Sequence, residues 1–319
     1  MQAVTIREGS ALGIEEHPDP EPGDGDLLVA VRSAGLNAAD LAQLAGYYPA
    51  PPGVPADIPG LELAGEVVAV GRSVERFSPG DRVMGLLAGG AQAELALVDE
   101  RCASALPDTI DWPLAGAIPE ALCTVHDALF RRCRLSLGER LLVTGAAGGV
   151  GCMAIGLAAL AGCEVVASAR DPATHETLRA LGATAAVLPE EAVEKGPFDV
   201  VLELVGAPSL QTILDAGALA ADARVVVIGI SGGHRVDLDL RKLWAARAYL
   251  TGSTLRARSA EEKGEVVRAA TRAALHHLGA GRLSVPILAT FPMVDAPAAY
   301  ERFAAGSKLG KIVLLVGDD

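Results

Sequence analysis

Of 319 residues, 50% are hydrophobic and 21% charged, which is enough apolar surface for a packed core and excludes a disordered chain. Against 40 Asp and Glu stand 27 Lys and Arg, a net charge of −13 that argues against nucleic-acid binding and against an anionic membrane surface. Aromatics, at 3%, are too sparse to stack single-stranded bases, and the length suits two domains.

The first hundred residues predict short strands. Apolar runs at 3–6, 27–34, 66–70, 82–87 and 93–98 are separated by turn clusters such as Pro18-Asp19-Pro20-Glu21-Pro22-Gly23 and Ser78-Pro79-Gly80-Asp81. Segment 47–60, with Pro at 49, 51, 52, 55 and 59, suits neither a helix nor an inner strand and reads as a covering loop. A helical stretch at 113–133 then opens a new rhythm. Strands at 141–144, 163–168, 185–188, 199–204, 224–230 and 248–253 alternate with helices near 149–161, 172–181, 208–219 and 239–247. With runs such as Val225-Val226-Val227-Ile228, the alternation predicts a parallel sheet buried on both faces. A helix (259–279), a strand (285–291), a helix (296–305) and a strand from Lys311 to Val316 complete the pattern.

Two stretches need care. Leu141 to Cys163 carries no charge and is long enough to resemble a membrane span, but its six glycines and strand-like start favour strand, turn and buried helix. The cysteines at 102, 123, 133, 152 and 163 are odd in number, and no secretory leader is expected at Met1. Free thiols in a reducing cytoplasm are the expectation.

Leu141-Leu142-Val143-Thr144-Gly145-Ala146-Ala147-Gly148-Gly149-Val150-Gly151 reads as a strand running through G-x-x-G-x-x-G into a helix. Dinucleotide binding needs a tight turn there, bare backbone where the pyrophosphate approaches, and a close helix–sheet contact. The phosphates would rest on helix N-terminal amides. At the end of the second strand, 19 residues past Gly151, stands Ser168-Ala169-Arg170, with no carboxylate at 168 or 169 for a ribose 2′-hydroxyl. Arg170 instead offers a fork for a 2′-phosphate, which favours NADPH. Asp171 can pair with Arg170 or face a ribose itself, and Arg170 as a solvated surface charge is the competing reading.

Five stretches carry a resemblance over nearly the whole chain: Gly35-Leu36-Asn37-Ala38-Ala39-Asp40, Pro59-Gly60-Leu61-Glu62-Leu63-Ala64-Gly65, Ser78-Pro79-Gly80-Asp81-Arg82-Val83, the glycine loop, and Gly310-Lys311-Ile312-Val313-Leu314. In these the chain resembles the medium-chain dehydrogenase/reductase superfamily, in its zinc-free quinone oxidoreductase branch. Gly46-Tyr47-Tyr48-Pro49-Ala50-Pro51-Pro52-Gly53, Ala117-Ile118-Pro119-Glu120-Ala121 and Ser253-Thr254-Leu255-Arg256-Ala257-Arg258 are similar to its apoptosis-associated quinone oxidoreductase-like subgroup. The resemblance implies an α/β fold in which a doubly wound parallel Rossmann sheet is inserted in a β-rich GroES-like catalytic domain. The expected division is 1–118 (catalytic), 119–256 (NADP-binding) and 257–319 (return to the catalytic domain).

Zinc members of the superfamily carry Cys where this chain has Asn37 and His where it has Leu61, so no metal is expected; a catalytic zinc needs three protein ligands. The histidines at 17, 126, 175, 234, 276 and 277 form no His-x-x-x-His pair. Without a metal to polarise an alcohol, reduction of an already electrophilic quinone or enone is favoured. The Tyr-x-x-x-Lys of short-chain reductases is missing too: the tyrosines at 47, 48, 249 and 300 are followed four positions later by Pro51, Pro52, Ser253 and Ala304.

Carried over position by position, Asn37 and Tyr48 match the family's polar residues near nicotinamide and substrate. Asn37 would hold a carbonyl or carboxamide; Tyr48 would donate to a developing oxyanion and touch the cofactor, or else cover apolar surface. Thr124 matches a contact near the nicotinamide ribose, with helix packing as the alternative. Gly148, Gly149 and Val150 would line the pyrophosphate. Val205, Gly229, Ser253 and Leu255 would follow strands at the sheet's C-terminal edge. Lys311 would reach the cofactor phosphates or cap an edge strand. Relatives often carry Lys where this chain has Thr174, and His175 could help only when protonated. The expected activity is zinc-independent, NADPH-dependent hydride transfer to a quinone or α,β-unsaturated carbonyl. The alternatives are an enoyl-thioester or other biosynthetic enone reductase, and an NADPH-binding protein with little catalysis. A homodimer through the 248–253 edge strand is also expected.

Overall fold

The computed structural model describes residues 1–307 and 309–317. It divides into two compact units, Met1–Cys123 with Leu255–Asp319, and Thr124–Thr254.

The first unit is β-rich. Strands β1 (Gln2–Arg7) and β2 (Ala11–Glu16) form an antiparallel hairpin. In β3 (Asp26–Gly35) every second residue through Leu27, Val29, Val31 and Ser33 is buried, as a strand with one face on a core requires. Helix α1 (Ala38–Leu44) follows, then β4 (Glu62–Val70), β5 (Arg82–Leu86), β6 (Leu95–Asp99) and β7 (Ala103–Ala105). Segment 47–60 is loop, as its prolines demand, and it is tied down: Gln43 Nε2 donates to Ala56 O, Ile6 N to Asp57 O and Gly90 N to Ile58 O. The helical stretch expected at 113–133 is α2 (Trp112–Ala115), then α3 (Pro119–Val125), then a π-helical turn at His126–Arg132.

The second unit is a six-stranded parallel sheet. Its elements are β8 (Arg140–Val143), α4 (Gly149–Leu160), β9 (Glu164–Ser168), α5 (His175–Ala180), β10 (Ala185–Val187), α6 (Pro189–Ala192), β11 (Phe198–Glu203), α7 (Ala207–Ala216), β12 (Leu219–Val227), α8 (Leu240–Ala246) and β13 (Tyr249–Gly252). The strand order is β10-β9-β8-β11-β12-β13, with every neighbouring pair parallel. This is the doubly wound order, and it reverses direction between β8 and β11, where open α/β sheets bind ligands at the strands' carboxyl ends. Leu142, Val166, Phe198, Val201 and Val225 are among the residues of its core.

Helix α4 resolves the uncharged stretch. It is buried from Gly151 to Ala158 and, at 12 residues, is about 18 Å long, short of the roughly 30 Å hydrocarbon core of a bilayer. Among the described residues no helix is long and apolar enough to cross a membrane.

The chain then returns to the first unit as α9 (Ala260–Gly279), β14 (Ile287–Pro292), α10 (Ala296–Ala304) and β15 (Lys311–Leu315). A capping box opens α9: Glu262 N donates to Ser259 Oγ, and Ser259 N to Glu262 Oε2. β15 enters antiparallel to β3, completing the order β14-β15-β3-β4-β5-β7, with β6 also on β3. The architecture is the expected one, a doubly wound sheet inserted in a β-rich unit. Four elements were not anticipated: β2, α1, and the short β7 and α6. β2 buries only Gly13, and the seven residues of α1 span two turns, so neither develops a hydrophobic period. The expected helix at 208–219 also ends early, because Gly217 adopts a left-handed conformation (φ 66°) and closes α7.

Candidate functional site

In the parallel-sheet unit, the turn after β8 shows why its glycines are there. Gly145 takes φ 58°, a left-handed turn that side-chain-bearing residues rarely adopt. A Cβ on Gly151 would collide with Ala146 O, so glycine there lets the first turn of α4 sit on the loop. Gly148 is different. Its φ is −75°, and an added Cβ would meet nothing nearer than Gly145 O at 3.7 Å. The cradle is open on that side, and no side chain caps α4, whose first amides are orphan donors. Bare backbone, a helix N-terminus and space together fit a dinucleotide pyrophosphate.

Glu203, at the end of β11, holds the other bank of this crevice. Its Oε1 accepts from Thr144 Oγ1 (2.9 Å), Val205 N (2.7 Å) and Gly206 N (2.8 Å). Its backbone carbonyl accepts from Ile228 N and Gly229 N. The carboxylate is fully buried and its Oε2 has no partner. One residue thus joins the ends of β8, β11 and β12. Gly229 lies so close to this hub that a Cβ would collide with Leu204 O.

Gly148, Gly149, Val150, Arg170, Val205, Gly229 and Ser253 all follow carboxyl ends of parallel strands. Ser253 turns its hydroxyl inward, donating to Asp127 Oδ2 at 2.6 Å, an oxygen that also accepts from Arg132 Nε. At the end of β9, Asp171 does not pair with Arg170; its Oδ1 accepts from Ala173 N as a helix cap. Arg170 is exposed and, among the described residues, has no ion-pair partner. Thr174 and His175 are buried, with Thr174 Oγ1 donating to Asp171 O and the His175 ring bonded to Ala169 O, so neither presents a group to a phosphate. Thr124 is buried in α3.

The β-rich unit gathers buried charge instead. Lys311, on β15, places its ammonium on Leu36 O (2.7 Å), Asn37 Oδ1 (2.6 Å) and Glu62 Oε1 (2.5 Å). Both members of the pair are buried, Lys311 at 3% and Glu62 at 0% exposure. Asn37 Nδ2 donates to Glu62 Oε1 (2.9 Å) and Gly35 O (3.3 Å), and Glu120 N donates to Glu62 Oε2 (2.9 Å). This alters two expected roles. The Asn37 amide has committed both protons, so it orients Glu62 and Lys311 before it can hold a carbonyl. The Lys311 donors are spent on these three oxygens. Zinc does not suit this donor set. Asn37 and Leu61 replace a thiolate and an imidazole, Glu62 is neutralised by Lys311, and among the described residues no group of three or more His, Cys, Asp or Glu could hold a metal.

Next to this network lies Asp40, fully buried, accepting from Asn37 N and Gly60 N. Burial pushes its carboxyl up to about 6, against the lowering effect of those hydrogen bonds and of Lys311. Tyr48 begins the proline-rich loop. Its hydroxyl has no hydrogen-bond partner among the described residues and its ring is half-buried. Burial raises its phenol above the ordinary tyrosine value, while the Arg256 charge draws it down. Arg256 is 5% exposed and reaches Ala88 O, Tyr48 O and Gln43 Oε1. Its neighbour Leu255 is buried in the same unit. Glu203, Asp40 and Arg256 were not anticipated as site residues. Glu203 alone had a local signal, a single acid in the apolar run from Val200 to Val205.

Two family models match the chain: the zinc-binding dehydrogenase family over residues 149–272 and the alcohol dehydrogenase GroES-like domain over residues 23–108. A thermostable alcohol dehydrogenase from Pyrobaculum aerophilum is 30% identical, with 99% of each chain covered and a TM-score of 0.84. A quinone oxidoreductase of Pseudomonas syringae is 28% identical over 98% of each chain (TM-score 0.85). The mycobacterial protein Rv1454c, solved with NADPH, is 25% identical over 99% of each (TM-score 0.87). Among curated sequences, erythronolide synthase EryA2 of Saccharopolyspora erythraea is 35% identical over 95% of this chain, which spans only 8% of that much longer protein.

Proposed function

The chain belongs to the medium-chain dehydrogenase/reductase superfamily, in its quinone oxidoreductase branch, and from that premise we propose that it is a zinc-independent, NADPH-dependent reductase of quinones and α,β-unsaturated carbonyls. The observation that carries the reading is the open glycine cradle after β8 together with an unpaired guanidinium, Arg170, at the end of β9. The cradle's amides suit a pyrophosphate and Arg170 suits a ribose 2′-phosphate, which NADH lacks. The NADPH complex of Rv1454c supports the same cofactor.

A nicotinamide cofactor held by the Gly145–Gly151 turn and Arg170 would supply the hydride. An acceptor that is already electrophilic takes the hydride at carbon, its π electrons move to the carbonyl oxygen, and a proton from solvent completes the reduction. A Lewis acid would help to oxidise an alcohol, but the oxygens of Glu62 and Asn37 that could serve one are committed to the Lys311 ammonium. Tyr48 is the residue for the oxygen: its hydroxyl is uncommitted and sits on a loop beside buried charge, so it donates where negative charge develops. The glycine turn would orient the cofactor.

A second reading, an enone carried as an acyl thioester, is favoured by the match to erythronolide synthase EryA2. One experiment separates the two. NADPH and NADH oxidation is followed in parallel with ortho- and para-quinones, conjugated enals and short enoyl thioesters. Fast NADPH-dependent quinone or enal reduction supports the first reading, thioester turnover far above both supports the second, and no turnover with any acceptor leaves an NADPH-binding role. The outer strand β13, with Trp244 (80% exposed), Tyr249 (65%) and Leu250 (38%) uncovered beside it, suits pairing with a second copy. A monomeric mass by light scattering would refute that pairing. None of the five cysteines is joined in a disulfide, which suits a reducing cytoplasm.

A further inference from the structure

The stretch Ser253–Arg258 contributes a residue that the proposed reaction leaves without a role. Arg256 is 5% exposed, yet no carboxylate stands within ion-pair distance of it among the described residues. Its three hydrogen bonds all end on neutral oxygens: Nε to Ala88 O at 2.7 Å, Nη1 to Tyr48 O at 2.6 Å and Nη2 to Gln43 Oε1 at 2.5 Å. Removing a charge from water without an opposing one is costly, so a buried guanidinium held by neutral groups leaves a net positive field around it. That field falls on an aromatic ring. The guanidinium carbon is 5.0 Å from the centre of the Tyr48 ring, inside cation–π range.

We propose that Arg256 is the positioning residue for Tyr48: it clamps the start of the proline-rich loop through the Tyr48 carbonyl and places a fixed positive charge behind the phenol. The proposal rests on the reading of Tyr48 as donor to the acceptor's oxygen. A phenol backed by a cation is a stronger donor to an oxygen gaining negative charge, and a clamped one loses less entropy on reaching it. The charged groups acting on Tyr48 are Arg256, which favours the ionised phenol, and Glu120, which opposes it; Arg256 itself also feels Asp40 and Glu120. Arg256 is the one cation acting on Tyr48 in this set, so its removal shifts the balance in a single direction.

The test uses the full chain with Arg256→Met, Arg256→Lys, Tyr48→Phe and the Met/Phe double variant. Steady-state kinetics are run with the best acceptor found, and phenol ionisation is followed by ultraviolet titration, Tyr48 being assigned by difference from Tyr48→Phe. Arg256→Met is expected to lower kcat about 10- to 100-fold with the KM for NADPH within about twofold, and to move the Tyr48 ionisation to higher pH. In the Tyr48→Phe background the same change should cost under about threefold, because the two residues act as one unit. Independent, multiplying effects, or a raised NADPH KM at unchanged kcat, would overturn the proposal. If no acceptor is turned over, the proposed reaction fails, and the titration alone decides: an unmoved Tyr48 ionisation in Arg256→Met overturns the clamp and an upward shift supports it. If Arg256→Met does not fold, Arg256→Lys keeps the charge but loses the fork. A reduced kcat with Tyr48 ionisation near that of the parent then supports the proposal, and an unchanged kcat sinks it.

Discussion

At the switch point of the parallel sheet the chain leaves atoms out, whereas around Glu62 it buries charges that would otherwise stay in water. The first region is made of Gly145 in its left-handed turn, Gly151 and Gly229 pressed against backbone, and Gly148 facing open space, with Glu203 bracing the backbone between them. The second is made of Lys311, Glu62, Asp40 and Arg256, all at most 5% exposed. A cradle for a charged cofactor needs donors and room, and backbone amides provide both without desolvating a side chain. A site for an uncharged acceptor has to meet a charge that appears only during the reaction, so its field has to be built in beforehand. The contrast predicts that the glycine region tolerates change wherever space is open, while the charged region tolerates almost none.

The sharpest attempt to break this contrast is Lys311→Met. The substitution keeps length and burial but leaves Glu62 buried opposite no cation, so the loss of folding stability should be about 3–5 kcal/mol by denaturant titration. Adding Glu62→Leu should recover part of that loss, since the orphaned carboxylate is what costs. A loss below about 1 kcal/mol for Lys311→Met would mean that the pair is solvated and that the second region is no different in kind from a surface.

Asp40 gives the next largest effect, read through pH. Its carboxyl is pushed up to about 6 in the fold, against roughly 4 in an unfolded chain, so the folded state binds more protons between those values. Stability from this group is therefore fully present below pH 4 and is lost as pH rises through 6. At about 1.4 kcal/mol per pKa unit the change approaches 3 kcal/mol. In Asp40→Asn that slope should vanish whatever the variant's absolute stability. An identical slope between pH 4 and 6 in both proteins would assign the titration elsewhere.

How much of each region was legible in the sequence follows from how far apart its parts lie. The glycine cradle is local, seven residues long, and the strand before it and helix after it are plain in the hydrophobic pattern; Arg170 could be placed by counting on from Gly151. The parallel sheet buried on both faces followed from the strand and helix alternation. The charged region could not be read that way. Lys311 reaches Glu62 across 249 positions and Arg256 reaches Gln43 across 213, and no local period links such pairs. Asn37 shows the consequence. Taken alone, its amide looked free to hold a carbonyl, but β15 brings in an ammonium and β4 a carboxylate that use it first.

Within the glycine region the same substitution at two neighbouring positions should give opposite results. Gly151→Ala meets Ala146 backbone and should cost about 1–3 kcal/mol of stability, since backbone on both sides cannot easily give way. Gly148→Ala has open space and an ordinary φ, so folding should change by less than about 0.5 kcal/mol. Its methyl group would instead project into the cradle, and the Kd for NADPH should rise about tenfold or more by fluorescence titration. A Gly148→Ala variant that binds NADPH as the parent does would place the pyrophosphate somewhere other than this turn.

The smallest effect concerns a single exposed guanidinium, and it tests the cofactor directly. Arg170 has no carboxylate to hold it, because Asp171 caps Ala173 and leaves the fork unpaired at the end of β9. Arg170→Gln removes the charge while keeping a polar side chain. If the fork meets a 2′-phosphate, charge-assisted hydrogen bonds of about 1.5–3 kcal/mol are lost, and kcat/KM with NADPH should fall about 10- to 100-fold. NADH has no phosphate at that position, so its kcat/KM should stay within about twofold, and the ratio of the two cofactors reports Arg170 independently of any effect on folding. Equal losses with both would show a residue needed for the crevice's shape, and no loss with either would make Arg170 a solvated surface charge. Thr174 and His175 then bear on the same question from the other side. Both are buried and bonded to backbone carbonyls, so Thr174→Lys, which adds a cation at the start of α5, should raise NADPH preference only where Arg170 already reads the phosphate.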